Sequence, residues 1–174
     1  MSGFKECYKS DLSRYNGCID SYTKSFLKAF RKAQYSKNRI EKFFWKIRFA
    51  ILRQKHGIEI GSETNIGKGL YLVHPYNITI NGRATIGTNC SIHKGVTIGQ
   101  ENRGKRKGTP TIGNCVWMGI NSTIVGNICI GDDVLIAPNS FVNCDIPSHS
   151  VVIGNPCTIH HKDNATEEYI NNRV

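Results

Sequence analysis

From Ile60 onward, aliphatic residues recur along the chain at a spacing of six. The fourteen positions are Ile60, Ile66, Leu72, Ile78, Ile80, Ile86, Ile92, Ile98, Ile112, Met118, Ile124, Ile130, Ile136 and Val142, with a slip of two residues between Ile78 and Ile80. A period of six matches neither the alternation of an ordinary strand nor the 3.6-residue turn of a helix. It predicts a solenoid of very short strands whose aliphatic side chains point into the core.

A helical pattern precedes these repeats, over residues 17 to 55. Two apolar stripes follow helical spacing: Tyr22, Phe26, Leu27 and Phe30, then Ile40, Phe43, Phe44, Ile47, Ala50 and Ile51. Lys and Arg fill the positions between them. We expect short basic helices that pack against the solenoid. Their basic side is either simply solvated or serves an anionic partner such as membrane headgroups or an anionic polymer.

The charge is divided unevenly along the chain. The net charge is +10, and residues 1–56 hold 14 Lys and Arg against 4 Asp and Glu, whereas residues 57–174 hold nine of each. Nothing resembles a base-reading motif, so no nucleic-acid partner is expected. The predicted organisation is a basic α-helical segment at 1–56, a β-helix at 57–160 with an extended loop near 99–111, and a C-terminal tail at 161–174.

Composition narrows the class of protein further. No stretch approaches the roughly 18 to 20 apolar residues of a membrane span, and the polar N-terminus does not resemble a signal peptide. We therefore expect a cytoplasmic protein, with contact to the inner membrane face through the basic helices as an open alternative. The seven cysteines show no C-x-x-C spacing, and reduced, mostly buried thiols are expected. The six histidines include no H-x4-H pair, so no metal site is predicted.

Three stretches carry a family resemblance: "GIEIGSETNIGKGLYLVHPYNITINGRATIGTNCSIHKGVTIG", "TIGNCVWMG" and "IPSHSVVIGNP". Residues 56 to 160 resemble the hexapeptide-repeat acyltransferases, and their motif order resembles the serine acetyltransferase branch. The resemblance implies a mainly β fold, a left-handed parallel β-helix, assembled as a homotrimer. It also implies that acetyl-CoA, as donor substrate, lies in a groove between neighbouring subunits. The matching positions for the donor are Gly99, Gly119, Ile120, Ala137 and, for a phosphate contact, Lys162.

Acetyl transfer to a hydroxyl requires a general base, because an alcohol is a weak nucleophile at neutral pH. His74 stands in "GLYLVHPYN" where the resembled family carries its catalytic histidine, and Glu59, fifteen residues earlier, matches the acidic residue that orients it. The family usually has Asp at this second position. A carboxylate beside the imidazole fixes its tautomer and stabilises the imidazolium. A lone histidine at the edge of a repeat can otherwise be a solvated surface residue.

Two other features are candidates for a site role. His93 follows His74 by nineteen residues, which is close to one coil once the slip is subtracted, so the two should lie near each other on adjacent coils. It serves acceptor binding or catalysis, or is an ordinary surface histidine. The loop "GQENRGKRKGTPTIG" interrupts the repeat, and its basic residues are either solvated or approach the phosphates of the donor or an anionic acceptor. These residues are Arg103, Lys105, Arg106 and Lys107.

The acceptor is where the resemblance fails. Serine acetyltransferases carry charged residues at three positions where this chain has Val73, Gly108 and Thr109. Losing groups that grip an ammonium and a carboxylate disfavours an amino-acid acceptor. The sequence therefore favours acetylation of a hydroxyl on a sugar or surface polysaccharide unit. The alternatives are a serine O-acetyltransferase of cysteine biosynthesis and, more remotely, a non-catalytic β-helix scaffold.

Overall fold

A computed structural model describes residues 3–174, in which three helices precede fifteen short strands. The helices are α1 (Phe4–Ser13), α2 (Ser21–Tyr35) and α3 (Arg39–Lys55). Side-chain caps explain where two of them begin. The Asp20 carboxylate accepts from the Thr23 N–H at 2.9 Å ahead of α2, and the Asn38 side chain accepts from the Ile40 and Glu41 N–H groups ahead of α3.

The strands are two to four residues long and wind into stacked triangular coils. They are β1 (Glu59–Ile60), β2 (Asn65–Ile66), β3 (Tyr71–Val73), β4 (Thr79–Ile80), β5 (Thr85–Ile86), β6 (Ser91–His93), β7 (Thr97–Gly99), β8 (Thr111–Ile112), β9 (Val116–Met118), β10 (Thr123–Val125), β11 (Cys129–Ile130), β12 (Val134–Ile136), β13 (Phe141–Val142), β14 (Ser150–Ile153) and β15 (Thr158–His161). Three sheets result: sheet A is β1-β4-β7-β10-β13, sheet B is β2-β5-β8-β11, and sheet C is β3-β6-β9-β12-β14-β15. All strand pairs are parallel except β14–β15. The predicted β-helix of hexapeptide repeats with short N-terminal helices is confirmed.

The core consists of aliphatic columns, one from each sheet. They contain Ile60, Ile80, Ile98, Ile124 and Val142 on sheet A, Ile66, Ile86, Ile112 and Ile130 on sheet B, and Leu72, Ile92, Met118, Ile136 and Val152 on sheet C. All of these side chains are buried. Burying one such side chain contributes about 1.5–3 kcal/mol, so the repeated isoleucines account for much of the stability of the coils.

The two-residue slip lies elsewhere than the sequence pattern indicated. The Lys94 N–H donates to the Val73 carbonyl at 3.1 Å, and the next amide along, that of Gly95, donates to the Tyr76 carbonyl at 2.9 Å. The backbone hydrogen bonds between the first two coils therefore skip His74 and Pro75. These are the two extra residues of the first coil. In consequence Ile80, not Ile78, pairs with the sheet A residues of the neighbouring coils.

The helices cover the open end of the β-helix. Arg31 and Asp11 form an ion pair at 2.7 Å with both side chains fully buried. The Arg31 guanidinium also donates to the Ile66 and Gly67 carbonyls, and Asp11 accepts from the Leu70 N–H. These contacts pair backbone groups that the first coil would otherwise leave without partners, since a sheet edge presents a row of free N–H and C=O groups.

Residues 3–56 thus form a helical cap on the β-helix, and two neighbouring side chains of this helical cap contact sheet C. The Tyr15 hydroxyl accepts from the Leu72 N–H at 2.8 Å and donates to the Leu72 carbonyl at 3.2 Å. The Arg14 guanidinium donates to the Gly69 carbonyl and to the Ser91 hydroxyl. The N-terminal segment is thus bound to the coils by specific polar contacts as well as by apolar packing.

The helices pack against the coils, but not through both apolar stripes. The second apolar stripe, on α3, does not face the solenoid: the buried aromatic residue of α3 is Phe49, whose ring lies 5.1 Å from that of Phe26 and 5.4 Å from that of Phe30. The stripe from Ile40 to Ile51 points away from the rest of the molecule. Helical spacing identifies which residues share a face, but not which face has a partner.

The chain after β15 folds back along the coils. The buried Asp133 carboxylate accepts from the backbone N–H groups of Ala165 and Thr166 and from the Thr166 hydroxyl. This brings Tyr169 to within 5.1 Å of Trp117, ring centre to ring centre. The tail therefore forms one wall of a cleft on the outer surface of sheet C.

Fewer of the cysteines are buried than expected. Cys7 and Cys90 are buried, whereas Cys18, Cys129 and Cys144 are exposed. Burial raises the pKa of Cys90 to about 12, so this residue is an inert part of the core. Within residues 3–174, no helix is long and apolar enough to cross a membrane.

Candidate functional site

His74 is at the edge where sheet C turns into sheet A, immediately after β3. It is exposed, and its φ of 47° lies in the left-handed region that residues with a Cβ rarely adopt. Such a conformation persists only where the surroundings enforce it. Here the two-residue insertion displaces His74 outward, and the turn is closed by a hydrogen bond from the Tyr76 N–H to the His74 carbonyl at 2.7 Å.

A stack of three aromatic rings holds this turn in place. The His56 ring lies between Tyr22 and Tyr76, with ring-centre distances of 3.4 and 4.1 Å and interplanar angles of 14° and 8°. The His56 Nδ1 atom is also 3.2 Å from the Pro75 carbonyl oxygen, as its hydrogen-bond partner. Since His56 caps the C-terminus of α3 and Tyr22 belongs to α2, the helices fix the turn that carries His74.

Glu59 is placed near this turn but not joined to it. The Glu59 N–H donates to the Ile78 carbonyl at 2.7 Å, so β1 runs beside the segment that follows His74. Within residues 3–174, no hydrogen bond or ion pair joins the Glu59 carboxylate to His74. Both side chains are exposed. The predicted pair therefore shares a region of the surface without forming the contact that would orient the imidazole.

A cleft opens where α3 meets β1. It has a volume of about 480 Å³, and its lining includes Arg53, Gly57 and Glu59. This size is within the roughly 300–1,000 Å³ of small-molecule sites. The Arg53 guanidinium donates to the Ile60 carbonyl at 3.0 Å, which holds the side chain against the coil. The cleft thus combines a positive and a negative group, a feature that the repeat pattern did not reveal.

His93 lies next to His74, as the coil length predicted, because β6 pairs with β3 and sets His93 opposite Val73. Its ring packs against Trp117 at 4.5 Å, and its Nε2 atom is buried with no hydrogen-bond partner among the described residues. Burial, with a contribution from His74, lowers the pKa of His93 to about 4. The imidazole is therefore neutral at physiological pH.

A second cleft lies over this part of sheet C. It measures about 370 Å³, and aromatic and amide side chains dominate its lining. Its lining includes Tyr71, Val73, His93, Trp117 and Tyr169. Arg14 also reaches the cleft, but its guanidinium already donates to Gly69, Ser91 and Asn171. The surface is thus aromatic and carries little free charge, in contrast to the cleft at Glu59.

Three of the predicted donor-binding residues follow the same edge as His74. Gly119 and Ile120 turn the third coil from sheet C to sheet A, and Ala137 turns the fourth. The Gly119 and Ala137 amides donate to the Ile136 and Val152 carbonyls, so both are used within the ladder. A Cβ at Gly119 would lie 2.7 Å from the Pro138 nitrogen, so close coil packing alone requires glycine there.

The other two predicted donor residues lie apart from that edge. Gly99 ends β7 on sheet A, where the loop begins, so one chain does not bring it to His74. Lys162 is exposed and lines a cleft with Asp163, Glu167 and Glu168. The three carboxylates that line the same cleft disfavour phosphate binding there.

The loop between β7 and β8 is ordered as a small hairpin. Glu101 and Gly108 exchange backbone hydrogen bonds of 2.9 and 3.0 Å, and the Arg106 guanidinium forms an ion pair with the Glu101 carboxylate at 3.0 Å. Arg106 is therefore not free to bind phosphate. Arg103, Lys105 and Lys107 are exposed, and none of them has an ion-pair partner among the described residues.

The stacked hexapeptide coils, the helical cap and the relatives found by comparison support the hexapeptide-repeat acyltransferase superfamily. No family model matches the chain. The relatives are serine acetyltransferases. The Helicobacter pylori enzyme is 38% identical over 107 residues, 62% of this chain and 63% of the relative. Serine acetyltransferase 2 of Arabidopsis thaliana is 36% identical over 159 residues, 91% of this chain and 49% of the relative.

A solved structure agrees with these sequence relatives. Neisseria gonorrhoeae serine acetyltransferase in complex with serine matches with a TM-score of 0.70 and 26% identity, over 90% of this chain and 69% of that one. The chain spans less than two thirds of the curated relatives named above. None of these proteins supports the polysaccharide acceptor that the sequence favoured.

Sequence reasoning missed two residues that shape the site. His56 lies at the boundary between helix and repeat, and its position between two tyrosines depends on α2 meeting the turn that follows β3. Arg53 belongs to a helix with many basic residues and nothing in the sequence distinguishes it from them. The only signal for His56 in the sequence is its spacing from the acidic and aromatic residues that follow it. That spacing alone does not assign a role to His56.

Proposed function

We propose that this chain transfers an acetyl group from acetyl-CoA to the hydroxyl of a small acceptor, with His74 as general base. The observation that carries the proposal is the position of His74. Its imidazole is exposed in a left-handed turn, and the stack of Tyr22, His56 and Tyr76 holds that turn in place. A base that must meet two substrates benefits from a fixed position on an accessible edge.

The chemistry proceeds by proton removal and acyl transfer. An imidazole nitrogen of His74 takes the proton of the acceptor hydroxyl as the oxygen attacks the thioester carbonyl. The tetrahedral intermediate then expels the CoA thiolate, which takes the proton back from the imidazolium. In this scheme Glu59 stabilises the imidazolium once substrates close the gap, since catalytic hydrogen bonds are often long before substrate binds.

The donor is proposed to lie along the edge that continues from His74. Ile120 makes no hydrogen bond through its N–H among residues 3–174, whereas the Gly119 amide is occupied. The Ile120 amide is thus the candidate to donate to the oxyanion on the thioester carbon. Gly99 and the loop on another edge of the prism would join this groove from a neighbouring subunit of the expected homotrimer.

For the acceptor we propose L-serine first. The relatives named above are serine acetyltransferases, and the cleft at β1 offers the two charges that a free amino acid needs. The Arg53 guanidinium suits the carboxylate of serine. One oxygen of the Glu59 carboxylate suits the ammonium, which leaves the second oxygen to stabilise the imidazolium of His74. These groups replace those that are absent at Val73, Gly108 and Thr109.

A sugar hydroxyl is the second candidate, because a specific observation favours it. The cleft over sheet C presents Tyr71, Trp117 and Tyr169 beside the neutral His93. Aromatic faces and uncharged hydrogen-bonding groups suit a neutral ring better than a zwitterion. The polysaccharide unit favoured by the sequence remains a proposal on this ground alone.

The test is thiol release from acetyl-CoA, with L-serine and a panel of simple and nucleotide sugars as acceptors. Replacing His74 by Ala should lower kcat by about 10²- to 10⁴-fold with the true acceptor. Lys24→Ala, at an exposed position on α2, serves as the control and should leave the rate unchanged. Equal rates for wild type and His74→Ala would refute the role of His74 and make His93 the next residue to replace.

The two acceptors are separated by one variant in each cleft. Arg53→Gln should raise KM for serine by about tenfold or more, since it removes a charge-assisted contact, and should leave a sugar acceptor unaffected. Trp117→Ala should do the reverse. If serine supports no turnover and a sugar does so in a His74-dependent manner, the amino-acid proposal is wrong.

A further inference from the structure

The outer face of α3 is apolar and exposed along its whole length. Five large residues lie on it, with exposed fractions of 81% for Ile40, 67% for Phe43, 58% for Phe44, 46% for Ile47 and 63% for Ile51. Their spacing places them on one side of the helix, opposite the buried Phe49. A contiguous exposed stripe of this kind marks an interaction surface, because soluble proteins seldom expose neighbouring large apolar residues.

Basic residues border this stripe on both sides. At 100° per residue, Arg39 and Lys46 lie along one edge and Arg48 and Lys55 along the other. All four are exposed. Two carboxylates lie near this part of the surface. Glu41 pairs with Lys32 at 2.7 Å, and Glu63 accepts from the Ser62 hydroxyl, with Lys46 helping to lower its pKa. The face is thus apolar in the centre and positive at its rim.

This charge distribution favours a membrane over a second copy of the chain docked through the same face. A second copy of the chain docked through the same face would bring two positive rims together, which is unfavourable. The excess charge of +10 lies entirely within residues 1–56, so a symmetric contact there finds little compensating negative charge. An anionic bilayer surface offers both the apolar phase for the stripe and the negative groups for the rim.

We propose that α3 binds flat on an anionic phospholipid membrane, with the stripe from Ile40 to Ile51 inserted at the headgroup boundary. The helix is about 25 Å long at 1.5 Å per residue, and it lies along the surface rather than across the bilayer. Its C-terminus leads directly to His56, which contacts Pro75 and Tyr76. Resting on the proposed function, this placement means that the site carrying His74 lies close to the membrane plane.

Vesicle co-sedimentation tests the proposal without any activity measurement. Vesicles of phosphatidylcholine with about one third phosphatidylglycerol should bind the wild type, and pure phosphatidylcholine should bind it much more weakly. The triple variant Ile40→Ser, Phe43→Ser and Ile47→Ser should lower the affinity by about 100-fold, because the apolar contribution is lost. These side chains are exposed, so unchanged circular dichroism is expected.

A charge series provides the matched control. The quadruple variant Arg39→Gln, Lys46→Gln, Arg48→Gln and Lys55→Gln should also weaken binding to anionic vesicles by about 100-fold or more. Removal of the same number of charges from the β-helix should change little. That control carries Arg83→Gln, Arg103→Gln, Lys105→Gln and Lys107→Gln.

Several results would overturn the proposal. They are absence of wild-type binding, unchanged binding by the serine variant, or equal loss in both charge variants. Light scattering on the wild type and the serine variant tests the other occupant, a second copy of the chain. A smaller particle mass for the variant in solution, together with no wild-type binding to vesicles, would assign the stripe to a contact between copies. Loss of vesicle binding at unchanged mass would support the membrane.

Discussion

The helical cap and the β-helix are both stabilised by buried contacts, but the contacts are of different kinds. In the coils, each aliphatic residue packs against its equivalents on the coils above and below, as Ile92 does between Leu72 and Met118. In the cap, a buried ion pair of Asp11 and Arg31 meets the backbone carbonyls of Ile66 and Gly67. The coils therefore depend on many similar contacts and the cap on a few unique ones.

The candidate site lies where these two regions meet. His74 lies on the first coil, where the repeat is interrupted by two residues and where the cap supplies His56 and Tyr22 to hold the interruption. A regular coil has no room for such an excursion. The chemistry is therefore placed at the junction of the two regions, and a change in either region should reach it.

The largest expected effect breaks the unique contact in the cap. Arg31→Met leaves the Asp11 carboxylate buried without its partner, which should cost about 3–5 kcal/mol of unfolding free energy. The neighbouring Lys32→Met removes a half-exposed ion pair with Glu41 and should cost less than about 1 kcal/mol. Urea unfolding followed by circular dichroism measures both. Similar losses of unfolding free energy for the two variants would contradict the view that the buried pair is the main contact between the cap and the coils.

A pair of isoleucines compares the two apolar stripes directly. Ile98→Ala removes a fully buried side chain from sheet A and should lower the free energy of unfolding by about 2–5 kcal/mol. Ile47→Ala, in the exposed stripe of α3, should change it by less than about 0.5 kcal/mol. The same urea titration tests both variants. A large loss from Ile47→Ala would show that the stripe has a partner in solution.

The two regions also differ in how far the sequence predicted them. The period of six identified the β-helix because every coil buries aliphatic residues at equivalent positions, and thirteen of the fourteen predicted positions are in register in the structure. The position of the slip was wrong because Ile78 and Ile80 are both aliphatic and both buried, and only the hydrogen bonds of Lys94 and Gly95 show which of them is in register. A pattern of residue types cannot decide between two adjacent buried isoleucines.

The cap and the site were predicted less completely. Helical spacing predicted the α3 stripe but not its exposure, because spacing does not indicate which face is covered. His74 and His93 were placed correctly on adjacent coils, because coil length is a property of the repeat. His56 and Arg53 were missed since their importance arises from contacts between distant segments. The roles of His74, Glu59, His93 and the donor-binding residues stay predictions.

A smaller effect concerns His93 and acid pH. Because burial lowers its folded pKa to about 4, below the unfolded value of about 6.5, the unfolded state binds more protons between these two values. Stability should therefore fall as the pH drops from about 6.5 to 4, by about 1–2 kcal/mol after allowance for solvent screening. His93→Gln should remove this part of the pH dependence. Parallel pH profiles of wild type and variant would contradict it.

The smallest effect is expected at the start of α2, where the cap region depends on a local contact. Asp20→Ala removes the acceptor for the Thr23 N–H and should cost about 1 kcal/mol. Partial burial acts to raise the pKa of Asp20, but the hydrogen bonds from Thr23 outweigh it and leave the pKa lowered. The folded pKa is thus below the unfolded one, so this contribution is present above about pH 4 and is lost as the pH falls further. Thermal unfolding at neutral and acid pH should show a difference between wild type and variant that shrinks in acid, and a difference that stays constant would mean that the carboxylate charge plays no part in the cap.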